Sequence, residues 1–238
     1  MGSLLILIAA LLPAILLGLY IWKKDTKKEP ASWLMKAFLW GIIICIPTAI
    51  VEMGLGYMLF GDGGKPSDLF GTTIVAFVVA ALPEEAFKLL ALWLVLRKNP
   101  YFDEHFDGIV YAVCVGLGFA ALENIGYVFG KDGGMLTAIT RALLAVPGHY
   151  AFAILMGYYY SIYHFVDHSP KAAACVLLVP VLAHGVYDSL AMSGLVDPTV
   201  GGISFFVLIY FCIKMHKYSW NKMMAQVERD KNGTNVTS

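Results

Sequence analysis

Seven apolar runs, separated by short polar breaks, take up nearly all of this 238-residue sequence. They cover about Leu4–Trp22, Trp33–Phe60, Leu69–Leu96, Gly108–Phe129, Leu136–Tyr163, Lys171–Ser193 and Val200–Ile213. About 20 apolar residues in a row are enough to carry an α-helix across the hydrocarbon core of a bilayer. In that core the backbone must satisfy its own N–H and C=O groups, and a helix does so within one segment. Composition agrees. Only 14% of residues are charged and 59% are apolar or aromatic, against roughly 25% charged in a soluble domain. An ordinary soluble domain, a disordered chain and a basic nucleic-acid-binding domain are excluded. The formal net charge is zero, so no bulk electrostatic partner is implied.

The expected fold is therefore an all-α, polytopic transmembrane helix bundle of about seven spans, or eight at roughly 30 residues per span with its loop. Residues 1–213 form the bundle and 214–238 a polar cytoplasmic tail. The first run has no basic stretch before it and no clear small-residue cleavage site, and lysines follow it. It reads as a retained span. Cys45, Cys114, Cys175 and Cys212 all lie in apolar stretches with no Cys-x-x-Cys pairing, which fits small buried hydrophobes.

Basic residues set the orientation. One set of alternate loops, with the tail, carries 12 Lys and Arg, while the other set carries only Lys65 and Lys131. By the positive-inside rule the N-terminus is outside and the C-terminus cytoplasmic. The tail sequences Asn232-Gly-Thr and Asn235-Val-Thr match a glycosylation acceptor pattern. A cytoplasmic location would leave them unused.

The residues that matter most are those an apolar span should not contain. An ionisable side chain at mid-bilayer costs on the order of 2.5–3.5 kcal/mol even on lenient scales. Glu84, Glu85 and Lys88 lie in the third run, Glu123 and Asn124 in the fourth, Arg141 and His149 in the fifth, and His184 and Asp188 in the sixth. Glu85, Glu123, His149 and His184 each fall 12 to 15 residues from the expected inner end of their span. At 1.5 Å per residue that is one layer, about 20 Å deep. Facing one another into a hydrated cavity limits the desolvation cost. Glu52 and Arg141 lie nearer the outer surface and fit structural roles better. Lys36 is close enough to an inner end to snorkel.

Spacing supports a shared cavity. Glu84 and Lys88, and likewise His184 and Asp188, are four residues apart and share a helix face; Phe119 and Glu123 do the same. Ala112, Gly116 and Ala120 make a small-residue stripe that lets a neighbouring helix approach. Pro83, Pro147 and Pro180 each stand just ahead of a polar group, where a proline frees a carbonyl and can kink a helix.

Two adjacent carboxylates in a low-dielectric site resist double ionisation, and a nearby lysine splits their behaviour further. Such a pair provides a general base and a general acid. Water activated in this way, with His or Asn donors for the developing oxyanion, is sufficient to hydrolyse an amide. The sequence has no nucleophilic serine or cysteine motif and no His-Glu-x-x-His. Two histidines with carboxylates also allow zinc with an open position.

The run Pro83-Glu-Glu-Ala-Phe-Lys-Leu fits a Glu-Glu-x-x-Lys motif. Phe119-Ala-Ala-Leu-Glu-Asn124 fits Phe-x-x-x-Glu-Asn, and His184-Gly-Val-Tyr-Asp188 fits His-x-x-x-Asp, with His149 between them. In this order, on separate spans, the chain closely resembles the PrsW family of bacterial intramembrane proteases. That family is related to the CAAX prenyl endopeptidases of the Ras-converting type and to a membrane subunit of gamma-secretase. The resemblance implies a multi-pass protein of the bacterial cell membrane that acts in sigma-factor activation and stress response. Its substrate would be a single-pass membrane anti-sigma factor, cut at site 1 near the extracytoplasmic side. Glu84, Glu85 and His184 would be catalytic, with Lys88, Glu123, Asn124, His149 and Asp188 supporting. His149, His184 and Asn124 would polarise the scissile carbonyl. No cofactor is expected. The alternative is a Zn2+ ion on Glu84, Glu85, His149 and His184.

Two other classes use similar residues. A proton- or ion-coupled transporter builds relays from intramembrane Glu, His and Asp, but usually has paired repeats, and none is found here. A non-catalytic scaffold has no need for the intact Glu pair with His184.

Overall fold

The computed structural model describes residues 2–61, 66–131 and 133–233. Lys65 and the second tail sequence, Asn235-Val-Thr, lie outside the described residues, as does Thr234 of the first. All regular structure among the described residues is helical. α1 (Gly2–Lys24) and α2 (Ala31–Phe60) come first. α3 (Leu69–Ile74) passes through a π-helical stretch (Val75–Ala81) directly into α4 (Leu82–Leu96). α5 (Asp107–Phe129), α6 (Met135–Leu143), α7 (Ala145–Phe165) and α8 (Pro170–Met192) follow, and α8 ends in a 3-10 turn (Ser193–Leu195). α9 (Pro198–Lys231) completes the described chain.

Six segments among the described residues are long and apolar enough to cross a membrane. They are α1, α2, α5, α6 with α7, α8 with its terminal turn, and α9. The remaining expected span, 69–96, is continuous helix that carries Glu84, Glu85 and Lys88. The protein is an all-α, multi-pass membrane bundle.

α5 forms the centre. Of its most apolar window, 78% is buried, against 17% for α1. Leu4, Leu5, Ile8, Ile43, Ile46, Ile50, Phe205 and Phe206 on α1, α2 and α9 are exposed, as lipid-facing side chains should be. Close backbone approach fixes α5 in place. A Cβ on Gly41 of α2 would overlap the Val115 carbonyl, and one on Gly118 would overlap the Phe38 carbonyl. Gly116, from the predicted small-residue stripe, meets α7, where an added Cβ would lie 2.8 Å from Ala153 Cβ.

The prolines act in different ways. Leu82 N–H bonds to the Phe77 carbonyl five residues back, and Pro83 has no N–H to offer the turn behind it. The wide turn therefore ends at the Glu pair. The expected fifth span is not one helix: it breaks at Leu144, which has φ −120° and ψ −57°. Pro147 explains this break, because it cannot donate to the carbonyl four residues earlier. Pro180 lies within a continuous α8.

The backbone shows no interruption at the expected boundary between Ile213 and Lys214. α9 runs on to Lys231, and Met215, Ser219, Met223, Gln226 and Val227 are buried along one face. That spacing is an amphipathic stripe, which the many lysines of this segment mask in its composition. All four cysteines are unpaired.

Candidate active site

The wide turn before Pro83 sets Glu84 and Glu85 in the first turn of α4, with Lys88 one turn later. All three are almost completely buried, and Glu85 is fully enclosed. Lys88 Nζ donates to Glu84 Oε2 and to Glu85 Oε1, both at 2.8 Å. It also lies 3.1 Å from His149 Nδ1 on α7. An ammonium can only donate, so Nδ1 accepts and the hydrogen of His149 is on Nε2. That N–H donates to Glu123 Oε2 on α5 at 2.8 Å.

His184 on α8 is arranged in a parallel way. Its Nδ1 is 2.9 Å from Glu85 Oε1 and its Nε2 is 3.3 Å from Asp188 Oδ2. Both histidines thus point Nδ1 into one centre while a carboxylate holds Nε2 from behind. Aromatic rings pack the surroundings. Phe152 stacks on His184 with centroids 4.6 Å apart. Phe119 places its ring 4.2 Å from Lys88 Nζ. That contact gives the Phe of the Phe-x-x-x-Glu-Asn motif a physical role, as a cation–π cap on the ammonium. Gly185 leaves the space that the Phe77 ring fills beside His184.

Glu84, Glu85, Lys88, Glu123, His149, His184 and Asp188 are therefore joined in one chain of hydrogen bonds and ion pairs. Among the described residues, Asn124 reaches this chain only through Arg141. Its Oδ1 accepts from Arg141 Nε at 2.6 Å and its Nδ2 donates to the Ala10 carbonyl at 3.0 Å. The amide ties Arg141 to α1. Arg141, read from sequence as structural, belongs to the network: its Nη2 lies 2.7 Å from Glu123 Oε2. Its guanidinium also covers the Tyr127 ring at 3.9 Å. A lone arginine in an apolar run was the available signal. Glu52 Oε1 is buried without a hydrogen-bond partner, and Glu84 and Glu123 both repel its charge.

One atom at the centre is not satisfied. Glu85 Oε2 is buried and has no hydrogen-bond partner, while Oε1 takes bonds from both Lys88 and His184. Buried carboxylate oxygens are normally bonded, and no protein donor takes up this one.

Comparisons with known proteins agree on one family. A family model described as "PrsW family intramembrane metalloprotease" matches residues 29–215. The chain belongs to the PrsW family. It is 37% identical to Protease PrsW of Clostridioides difficile (strain 630) over 189 residues, covering 77% of each chain. It is 33% identical to Protease PrsW of Bacillus subtilis (strain 168), covering 77% of this chain and 81% of the relative. With Protease PrsW of Oceanobacillus iheyensis the identity is 33%, over 86% of this chain and 91% of that one. No solved structure matches the chain. PrsW family membership makes the protein a multi-pass membrane hydrolase of a bacterial type. It favours the protease over the carrier.

The family's description includes a metal. Glu84, Glu85, His149 and His184 each offer one ligand atom, and these four atoms lie within 4.8 Å of one another. Two histidines with a carboxylate on the far nitrogen are a usual arrangement for metal ligands. The donor set fits a zinc-type ion. Lys88 Nζ, however, already bonds to three of the four residues, so the ammonium and an ion would share one place.

Proposed function

We propose that this protein is an intramembrane endopeptidase that makes the site-1 cut in a single-pass membrane anti-sigma factor. The observation that carries the mechanism is the unpartnered Glu85 Oε2 in a fully enclosed carboxylate. A water there donates to Oε2 and is activated as Glu85 takes its proton. Lys88 and His184 fix the other oxygen and thereby the direction of attack. Glu85 then returns that proton to the leaving amine, while Glu84, on the far side of the ammonium, positions the water. His149 and His184 supply the polar surroundings in which the oxyanion develops.

A second reading rests on the ligand set. In it Glu84, Glu85, His149 and His184 hold a Zn2+ ion, with Glu123 and Asp188 orienting the imidazoles. A bound ion of this kind supplies Lewis-acid polarisation and a more acidic water. The glutamate reading comes first because Lys88 already provides the cation that the carboxylates require. Orientation follows the loop charges, with the N-terminus outside and the part of α9 beyond residue 213 on the cytoplasmic side.

The test is cleavage of a purified single-pass anti-sigma factor in proteoliposomes. A cut near its extracytoplasmic end is expected. Proton flux without cleavage would overturn the reading in favour of a carrier. Cleavage that is lost in a strong chelator and restored by Zn2+, but not by Mg2+ or Ca2+, would move the mechanism to the metal reading.

A further inference from the structure

Another group of carboxylates lies at the end of the bundle where α1, α2, α5 and α9 approach one another. Asp25 follows α1, Glu29 precedes α2, Glu104 and Asp107 lead into α5, and Asp230 sits near the end of α9. Asp230 joins this end together by accepting the His105 and Phe106 N–H groups at 2.9 and 2.8 Å. Asp25, Glu104 and Asp107 each offer an oxygen, and the three oxygens lie within 4.8 Å of one another. They come from the α1–α2 turn and from the start of α5 with the loop before it, far apart in sequence.

Ordinary pairing leaves two oxygens of this group without a partner. Asp107 is fully enclosed. Its Oδ2 accepts the Asp103 and Glu104 N–H groups at 3.1 and 2.7 Å, but its Oδ1 is buried with no partner. Glu104 Oε2 is buried without a partner as well. Asp25 is 3% exposed and accepts the Lys27 and Glu29 N–H groups, each at 3.1 Å. The nearby lysines are turned elsewhere. Lys27 Nζ bonds to Asp103 Oδ2 at 2.5 Å. Lys28 Nζ is taken up by the backbone carbonyls of Trp22, Lys23 and Asp25. Burial pushes the Asp25, Glu29 and Glu104 carboxyls above their ordinary range, Glu29 to about 7.

We infer that Asp25, Glu104 and Asp107 form a binding site for a hard divalent cation, Mg2+ or Ca2+, separate from the Glu85 centre. The donors are all oxygen, which suits these ions and not zinc. Asp107 Oδ1 and Glu104 Oε2 are the buried oxygens of this group that no protein donor takes up. An ion here ties the α1–α2 turn to the start of α5, the helix that carries Glu123.

The test uses the whole protein in lipid nanodiscs, stripped with chelator and titrated separately with Mg2+ and with Ca2+. Thermal unfolding is the readout, so activity is not needed. Wild type is expected to show a saturable rise in unfolding temperature with at least one ion. Asp107→Asn and Glu104→Gln are expected to lose that rise, and Glu85→Gln to keep it. In chelator Asp107→Asn should unfold at or above the wild-type temperature, because a repelling charge has gone. If it does not fold, Glu104→Gln carries the test. No rise in wild type, or an equal rise in wild type and both carboxamide variants, would overturn the site. A rise kept by Asp107→Asn and lost by Glu85→Gln would also overturn it, by placing the ion at the Glu pair.

Discussion

Lys88 Nζ lies 3.1 Å from His149 Nδ1, so an ammonium on α4 donates to an imidazole on α7. This bond fixes the tautomer of His149, commits its Nε2–H to Glu123, and places a cation between the two carboxylates of the Glu pair. The sites on α4, α5 and α7 are thereby connected through one lysine.

Glu123→Gln tests that connection. It keeps the shape but removes the charge that orients His149 and pairs with Arg141. Replacing a carboxylate behind a working histidine costs about 10- to 100-fold where this has been measured for metal sites. A similar loss in cleavage rate is expected here, with the protein still folded. Rates at the wild-type level would show that the Glu123–His149 bond has no part in the reaction.

Lys88→Met should be more damaging to the fold. It leaves Glu84 and Glu85 facing each other in a buried site without their cation. Removing one member of a buried ion pair costs about 3–5 kcal/mol. Reversible unfolding in mixed micelles would measure it. A stability change below about 1 kcal/mol would mean that the pair is held by other groups.

The α2–α5 crossing offers a contrast between two glycines. Gly118→Ala drives a methyl into the Phe38 carbonyl, whereas Gly54→Ala meets open space. The first is expected to destabilise by about 1–3 kcal/mol or more. The second should be neutral or stabilising by up to about 1 kcal/mol, from helix propensity. Equal effects would argue against this helix crossing.

Pro83→Ala supplies the missing N–H behind the Glu pair. The wide turn should tighten, raising thermal stability while lowering cleavage, because Glu84 and Glu85 rotate relative to His149 and His184. Cleavage unchanged alongside higher stability would show that the wide turn does not position the pair.

Much of the site is legible in the sequence because it is local. Glu84 and Lys88, and His184 and Asp188, are bonded as their four-residue spacing predicts. What joins these pairs is not local. Glu123 and His149 are 26 residues apart, and only the packing of α5 on α7 brings them together. Arg141 likewise reaches Glu123 across 18 residues of sequence, from α6, which is set off from α7 at Leu144. Asn124 belongs to a motif, but its amide faces α1, and no spacing rule reveals that. The buried face of α9 was hidden by its lysines. Asp25 and Asp107 look like ordinary loop charges until the fold encloses them.

Whether Glu85 is the base that activates water is decided by Glu85→Gln. The variant keeps the size of the side chain and its reach to Lys88, and replaces the unpartnered Oε2 with a group that cannot take a proton. Cleavage of a reconstituted anti-sigma factor by wild type and variant, at matched folded protein, is the measurement. Wild type is expected to cleave it, and Glu85→Gln to give no cleavage above background. Cleavage by Glu85→Gln at the wild-type rate would contradict that role.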